Sequence, residues 1–164
     1  MDQDAILRKH LLVSLQGKGA HLTFDEAVAD FPLHMINLQP LNVDYTPWHL
    51  LEHLRLAQAD ILDYLRNPDY AAPKWPDDYW PAADAQADAA AWEQSIQEFR
   101  RDLQELEDLV KDPATDFYTP IAHGYGGHTI LREILLVADH NAYHIGELGI
   151  LRQVMGAWPE DRVR

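Results

Sequence analysis

The 164-residue sequence contains no cysteine. That excludes disulfide staples, thiolate zinc sites, thiol nucleophiles and cysteine-ligated iron–sulfur clusters. Basic residues are scarce as well: 13 Lys and Arg stand against 27 Asp and Glu, a formal charge of -14. A surface of that sign repels phosphate backbones and anionic headgroups, so neither nucleic acid nor a membrane is an expected partner. No apolar run approaches the roughly 18 residues of a membrane span. The stretch from Met1 to His10 carries Asp2, Asp4, Arg8 and Lys9 and lacks a secretory pattern, so a cytoplasmic location is expected. Strand-like alternation between turn signals is also missing, as is any internal repeat.

What remains is a chain of ordinary globular composition, 47% hydrophobic and 24% charged, of a length that suits one domain over residues 1–164. Ile6, Leu7, Leu11 and Leu15 fall partly in helical spacing before Gly17 and Gly19, which predicts a first helix over Gln3–Leu15. Thr23-Phe-Asp-Glu26 has the form of a capping box, opening a short helix to about Asp30. Thr46-Pro47 offers an N-cap with proline at the first helical position, and Asn67-Pro68 stops the helix at about Arg66. Along it Leu50, Leu54, Ala57, Ile61 and Leu65 make an inward stripe that includes His53. The spacing of Trp92, Ile96, Phe99, Leu103, Leu106 and Val110 predicts a helix from about Ala82 to Val110. Thr129 to about Met155 reads as a last helix, apolar nearly all round and therefore expected in the middle of a bundle. The pattern is all-α: a four-helix bundle with one short extra helix and two long loops, Asn67–Pro81 and Lys111–Gly127.

Nine histidines are the chemical resource of the chain. His140 and His144 are four residues apart, so their rings lie about 40° apart around a helix and one turn along it, within reach of one ion. His49 and His53 repeat that spacing. Chance alone gives about half of one such pair in a chain with this many histidines, so spacing by itself is weak. Burial adds weight, because an imidazole on an apolar stripe needs both nitrogens satisfied. His53, His140 and His144 are three such rings, and a three-histidine set leaves a coordination position open for water or substrate.

The stretches Pro47-Trp-His-Leu-Leu-Glu-His53, Lys74-Trp-Pro-Asp-Asp-Tyr-Trp-Pro81 and Thr129 through Gly146 resemble the DinB/YfiT-like superfamily of metal-dependent proteins over nearly the whole chain. The resemblance implies a four-helix bundle, often dimeric, whose divalent metal is held by one histidine of the second main helix and two of the last. Residue by residue, these are His53, His140 and His144. It implies zinc or nickel before other ions, a small-molecule substrate such as a low-molecular-weight thiol, a reaction of the S-transferase, isomerase or hydrolase kind, and a homodimer.

Around the set, Glu147 lies on the face of His140 and His144 and is the candidate catalytic base or further ligand. Asp139 and Glu52 each precede a proposed ligand and are candidates to orient ligands of another helix. His123 and His128 bracket Gly124-Tyr-Gly-Gly127, a candidate lid, with a plain loop as the simpler expectation. Trp75, Tyr79 and Trp80 are expected to pin the first long loop rather than to line a pocket mouth. His10, His21 and His34 have no spacing partner and read as surface residues. Two rival readings remain: His49-Leu-Leu-Glu-His53 has the H-x-x-E-H form of inverted zinc peptidases, and a non-catalytic metal-binding or dimerisation bundle needs no reaction at all.

Overall fold

In the computed structural model, which describes residues 2–160, the chain is all-helical. Helix α1 spans Gln3–Leu15, α2 Phe24–Val28, α3 Pro47–Arg66, α4 Ala89–Lys111 and α5 Ile130–Val154, with a 3-10 turn over Leu33–Met35. The four long helices form a ring in which α1 packs on α4, α4 on α3, α3 on α5 and α5 back on α1, while α2 lies against α5. No helix among the described residues is long and apolar enough to cross a membrane.

Local chemistry sets the helix starts. Thr23 and Glu26 form the reciprocal capping box, with Glu26 N–H donating to Thr23 Oγ1 and Thr23 N–H to Glu26 Oε2. The start of α4 differs from the sequence expectation by seven residues. Ala87 is paired through both its N–H and its C=O with the side-chain amide of Asn37, and Asp88 then caps the helix by accepting from Ala91 N–H. A backbone held in extended register by a residue 50 positions away cannot also enter a helix.

Two apolar clusters fill the bundle. One joins α2, the first halves of α3 and α4 and the second half of α5 around Leu50, Leu54, Phe99, Ile145 and Leu148. The other joins α1, the second halves of α3 and α4 and the start of α5 around Leu15, Ile61, Leu106, Phe117, Ile134 and Val137. Between them runs a buried polar link, Asn141 to Gln58 to the carbonyl of Phe99.

Helix α5 departs from the expectation of a central, fully buried helix. It occupies one corner of the ring, so only one face is covered, and Leu135, Tyr143, Ile150 and Val154 are exposed on the other. Its buried face instead holds Glu133, Asn141 and Arg152. Arg152 is fully buried and donates to the carbonyls of Ala27, Ala29, Asp30 and Ala157, with its guanidinium stacked 3.9 Å from the Trp158 ring. One side chain thereby ties the α2 region to the end of the bundle.

Candidate metal centre

Helices α3 and α5 bring three imidazoles to one point. Thr46 caps α3 and Pro47 occupies its first turn, which places His53 nearly two turns in, on the buried face. His140 and His144 come from successive turns of α5. His53 Nε2 lies 3.2 Å from His144 Nε2 and 3.2 Å from His140 Nε2, and the three ligand atoms fall within 4.8 Å of one another. Nitrogens bound to one tetrahedral zinc at about 2.05 Å sit roughly 3.3 Å apart, so the two distances from His53 are those of a coordination set.

The opposite ring nitrogens show which tautomer two of the rings adopt. His53 Nδ1–H donates to the carbonyl of Tyr79 at 2.8 Å, and His144 Nδ1–H to Glu147 Oε2 at 2.6 Å. Each bond leaves Nε2 as a lone pair aimed inward, the arrangement that metal-ligating histidines show. Burial holds the basicity of both His53 and His140 below the ordinary value, and the mutual repulsion of the rings adds to it; His140 falls to about 4. His53 and His140 are therefore neutral near pH 7 and ready to donate electron pairs.

The first long loop, between α3 and α4, holds this arrangement. Trp80 stacks on His53 with ring centres 3.9 Å apart and planes 4° from parallel. The hydroxyls of Tyr70 and Tyr79 both donate to the Asp60 carboxylate on α3, at 2.8 and 2.7 Å. Burial and the Asp60 charge push both phenols well up. Tyr79 and Trp80 do pin the loop, and by pinning it they aim a histidine, whereas Trp75 is exposed beside Tyr79. Trp80 also lines an open cavity of about 840 Å³, together with Tyr45, His49, Pro81, Asp44 and Asp77.

Glu147 stands behind His144, on the ring nitrogen remote from the convergence point. Its carboxylate also meets the hydroxyls of Tyr45 and Tyr143; burial and then the Glu147 charge push Tyr45 up to about 12, and its hydrogen bond to Glu147 shifts Tyr143 upward as well. Sequence reasoning missed Tyr45 and the Tyr79 carbonyl, because neither has a spacing signature.

Other expected positions lie elsewhere. His49 is a capping residue: its Nδ1 accepts from Thr46 N–H at 3.4 Å, and its Nε2–H donates to the Ala85 carbonyl at 3.1 Å. Glu52 faces α4 and accepts from Ser95 there and from Arg55 on its own helix; against the effect of burial, these bonds hold its pKa below the usual value. With both groups committed, the H-x-x-E-H reading has no site. Asp139 faces outward and orients no ligand. His123 Nε2–H donates to the carbonyl of Tyr64, and His128 sits against Tyr64 and Glu133. Tyr64 is eleven residues beyond His53 on α3, roughly 16 Å along the axis, so the glycine-rich segment wraps the far end of that helix and forms no lid over the histidines. His10, His21 and His34 are exposed, as expected.

The family model described as the DinB superfamily matches residues 21–148, well over half of the chain. No curated protein and no solved structure shows significant similarity to it. The match and the three-histidine cluster together fit a metal-binding protein.

Proposed function

The chain belongs to the DinB superfamily, and from that premise we propose that it is a cytoplasmic, divalent-metal-dependent enzyme acting on a small molecule at His53, His140 and His144. One observation carries the reading: three Nε2 atoms converge at coordination spacing while the Nδ1–H groups of His53 and His144 are committed elsewhere. The donor set is neutral nitrogen, which suits zinc or nickel. Three protein ligands leave a position open, the mark of catalytic rather than structural sites.

The chemistry such an ion supplies when bound is activation of water or of a low-molecular-weight thiol at that open position. The chain's own residues do the rest. The Tyr79 carbonyl and the Trp80 ring orient His53. Glu147 accepts from His144 and strengthens its inward lone pair, which makes it a positioning residue for that ligand. The cavity beside Trp80 offers aromatic and proline surface to an apolar portion of the substrate. A thiol-dependent transferase or hydrolase fits this description, and pairing of two chains belongs to the same proposal.

The test is elemental analysis of protein purified without a tag or chelator, beside the His140→Ala/His144→Ala variant. About one zinc or nickel per chain, lost in the variant, is the expected result and justifies titration with thiols and electrophiles. Absence of metal from both proteins, even after zinc, nickel and manganese are supplied, overturns the proposal. Zinc binding without saturable binding of any thiol at millimolar concentration removes the transferase part alone.

A further inference from the structure

Each inward-aimed imidazole needs its second nitrogen satisfied, and the structure supplies a partner for two of the three. His53 has the Tyr79 carbonyl and His144 has Glu147. His140 points Nε2 at His53, which leaves its Nδ1 to be accounted for.

The next residue, Asn141, has a side chain buried to 4% exposure, and its Oδ1 is enclosed without a donor in hydrogen-bonding geometry. Its orientation is not free. The Phe99 carbonyl only accepts, so Gln58 must present its amide nitrogen there, at 2.8 Å. Gln58 Oε1 then faces Asn141, which must in turn present Nδ2, at 2.9 Å. Two amides in series are thus read out from a backbone carbonyl, and the chain ends in a buried acceptor beside His140. The amide is also near enough to that ring to act on it, favouring the protonated imidazole against burial and the other two histidines.

We propose that Asn141, held by Gln58, is the positioning residue of His140: its Oδ1 accepts from Nδ1–H when the site holds a divalent ion and so fixes Nε2 as the ligand atom. The inference rests on the metal-binding function proposed above. It gives the polar link between the two apolar clusters a task beyond joining α3, α4 and α5. It also explains why an acceptor lacking a donor persists in a layer flanked by close-packed apolar residues.

Zinc is the probe. Imidazole ¹⁵N spectra of the zinc-loaded wild type report directly which nitrogen of each ring carries the proton. Competition with a chromophoric chelator gives the zinc affinity of the wild type and of the Gln58→Leu/Asn141→Leu variant, which removes both amides at near-constant volume. The expected spectrum has His140 protonated at Nδ1 and coordinated through Nε2. The double variant is expected to retain the wild-type helical content and to bind zinc about 10- to 100-fold more weakly. Coordination of His140 through Nδ1, or a folded double variant that binds zinc as tightly as wild type, overturns the relay and leaves the metal site standing. A wild type that takes up no zinc overturns both. Should the double variant fail to fold, the wild-type spectrum alone decides.

Discussion

Neutral imidazoles packed against one another are a proton-sensitive element. His53 and His140 have folded-state basicity below the ordinary 6.5, chiefly from burial and with His140 at about 4. The unfolded chain therefore binds protons that the folded chain refuses, and stability rises with pH across that window. In metal-free protein this contribution is fully present above about pH 6.5 and is lost as pH falls towards 4. Urea midpoints measured across that range are expected to drop, and the His140→Gln variant to show a flatter slope. A second contrast separates two histidines that share the α3 spacing. His53→Ala abolishes stoichiometric zinc binding, whereas His49→Ala leaves it intact and costs about 2 kcal/mol in urea denaturation through the lost cap and the lost bond to Ala85. The clustering of the three histidines was legible in the sequence, from the family resemblance first and from the i, i+4 spacing and apolar flanks that support it. Their own partners were not. A backbone carbonyl such as that of Tyr79 carries no residue-type signal, and Asn141 reads as one more polar residue on a helix until Gln58 is seen opposite it.

Among the elements, the α3–α4 connection does more for the site than join two helices. It reaches the histidines through Tyr79 and Trp80 and is fastened to α3 through Asp60, which accepts from two phenols at once. Asp60→Ala is expected to cost about 2 kcal/mol of stability and, because Tyr79 then loses its anchor, to weaken zinc binding as well. Urea titration and chelator competition on the same variant check both effects. An unchanged zinc affinity would show that the loop aims His53 without help from Asp60. Helix starts marked by local chemistry were readable: Thr23 and Glu26 satisfy their own orphan donors within one turn, and Thr46 caps α3 ahead of Pro47, which has no N–H to satisfy. The start of α4 was not, since the Asn37–Ala87 pairing that delays it spans 50 residues. The glycine-rich segment is the plain loop that was the simpler expectation, but where it packs was not readable. Its histidines are claimed by Tyr64, whose position in the bundle no local pattern reveals.

At the scale of the whole molecule, the all-helical class followed from periodicity, but the corner position of α5 did not. An apolar circumference is compatible with a central helix or with a helix that leaves one face uncovered, and only the ring of packing partners decides between them. The buried Arg152 was likewise invisible, because in sequence it is an ordinary basic residue near a helix end. Replacing it with alanine strands several carbonyls of residues 27–30 and 157, so Arg152→Ala is expected to cost about 3 kcal/mol or more. Arg152→Lys, lacking the planar fork, recovers little of this, and chemical denaturation of both variants is the check.

The same contact has a temporal side. Ala27 and Arg152 are 125 residues apart. At about 5–20 residues added per second, synthesis of that interval takes on the order of ten seconds. For that time the nascent chain has the α2 carbonyls without their guanidinium, and Phe24, Val28 and Phe31 without α5 beside them. The region made early is thus among the last to be locked.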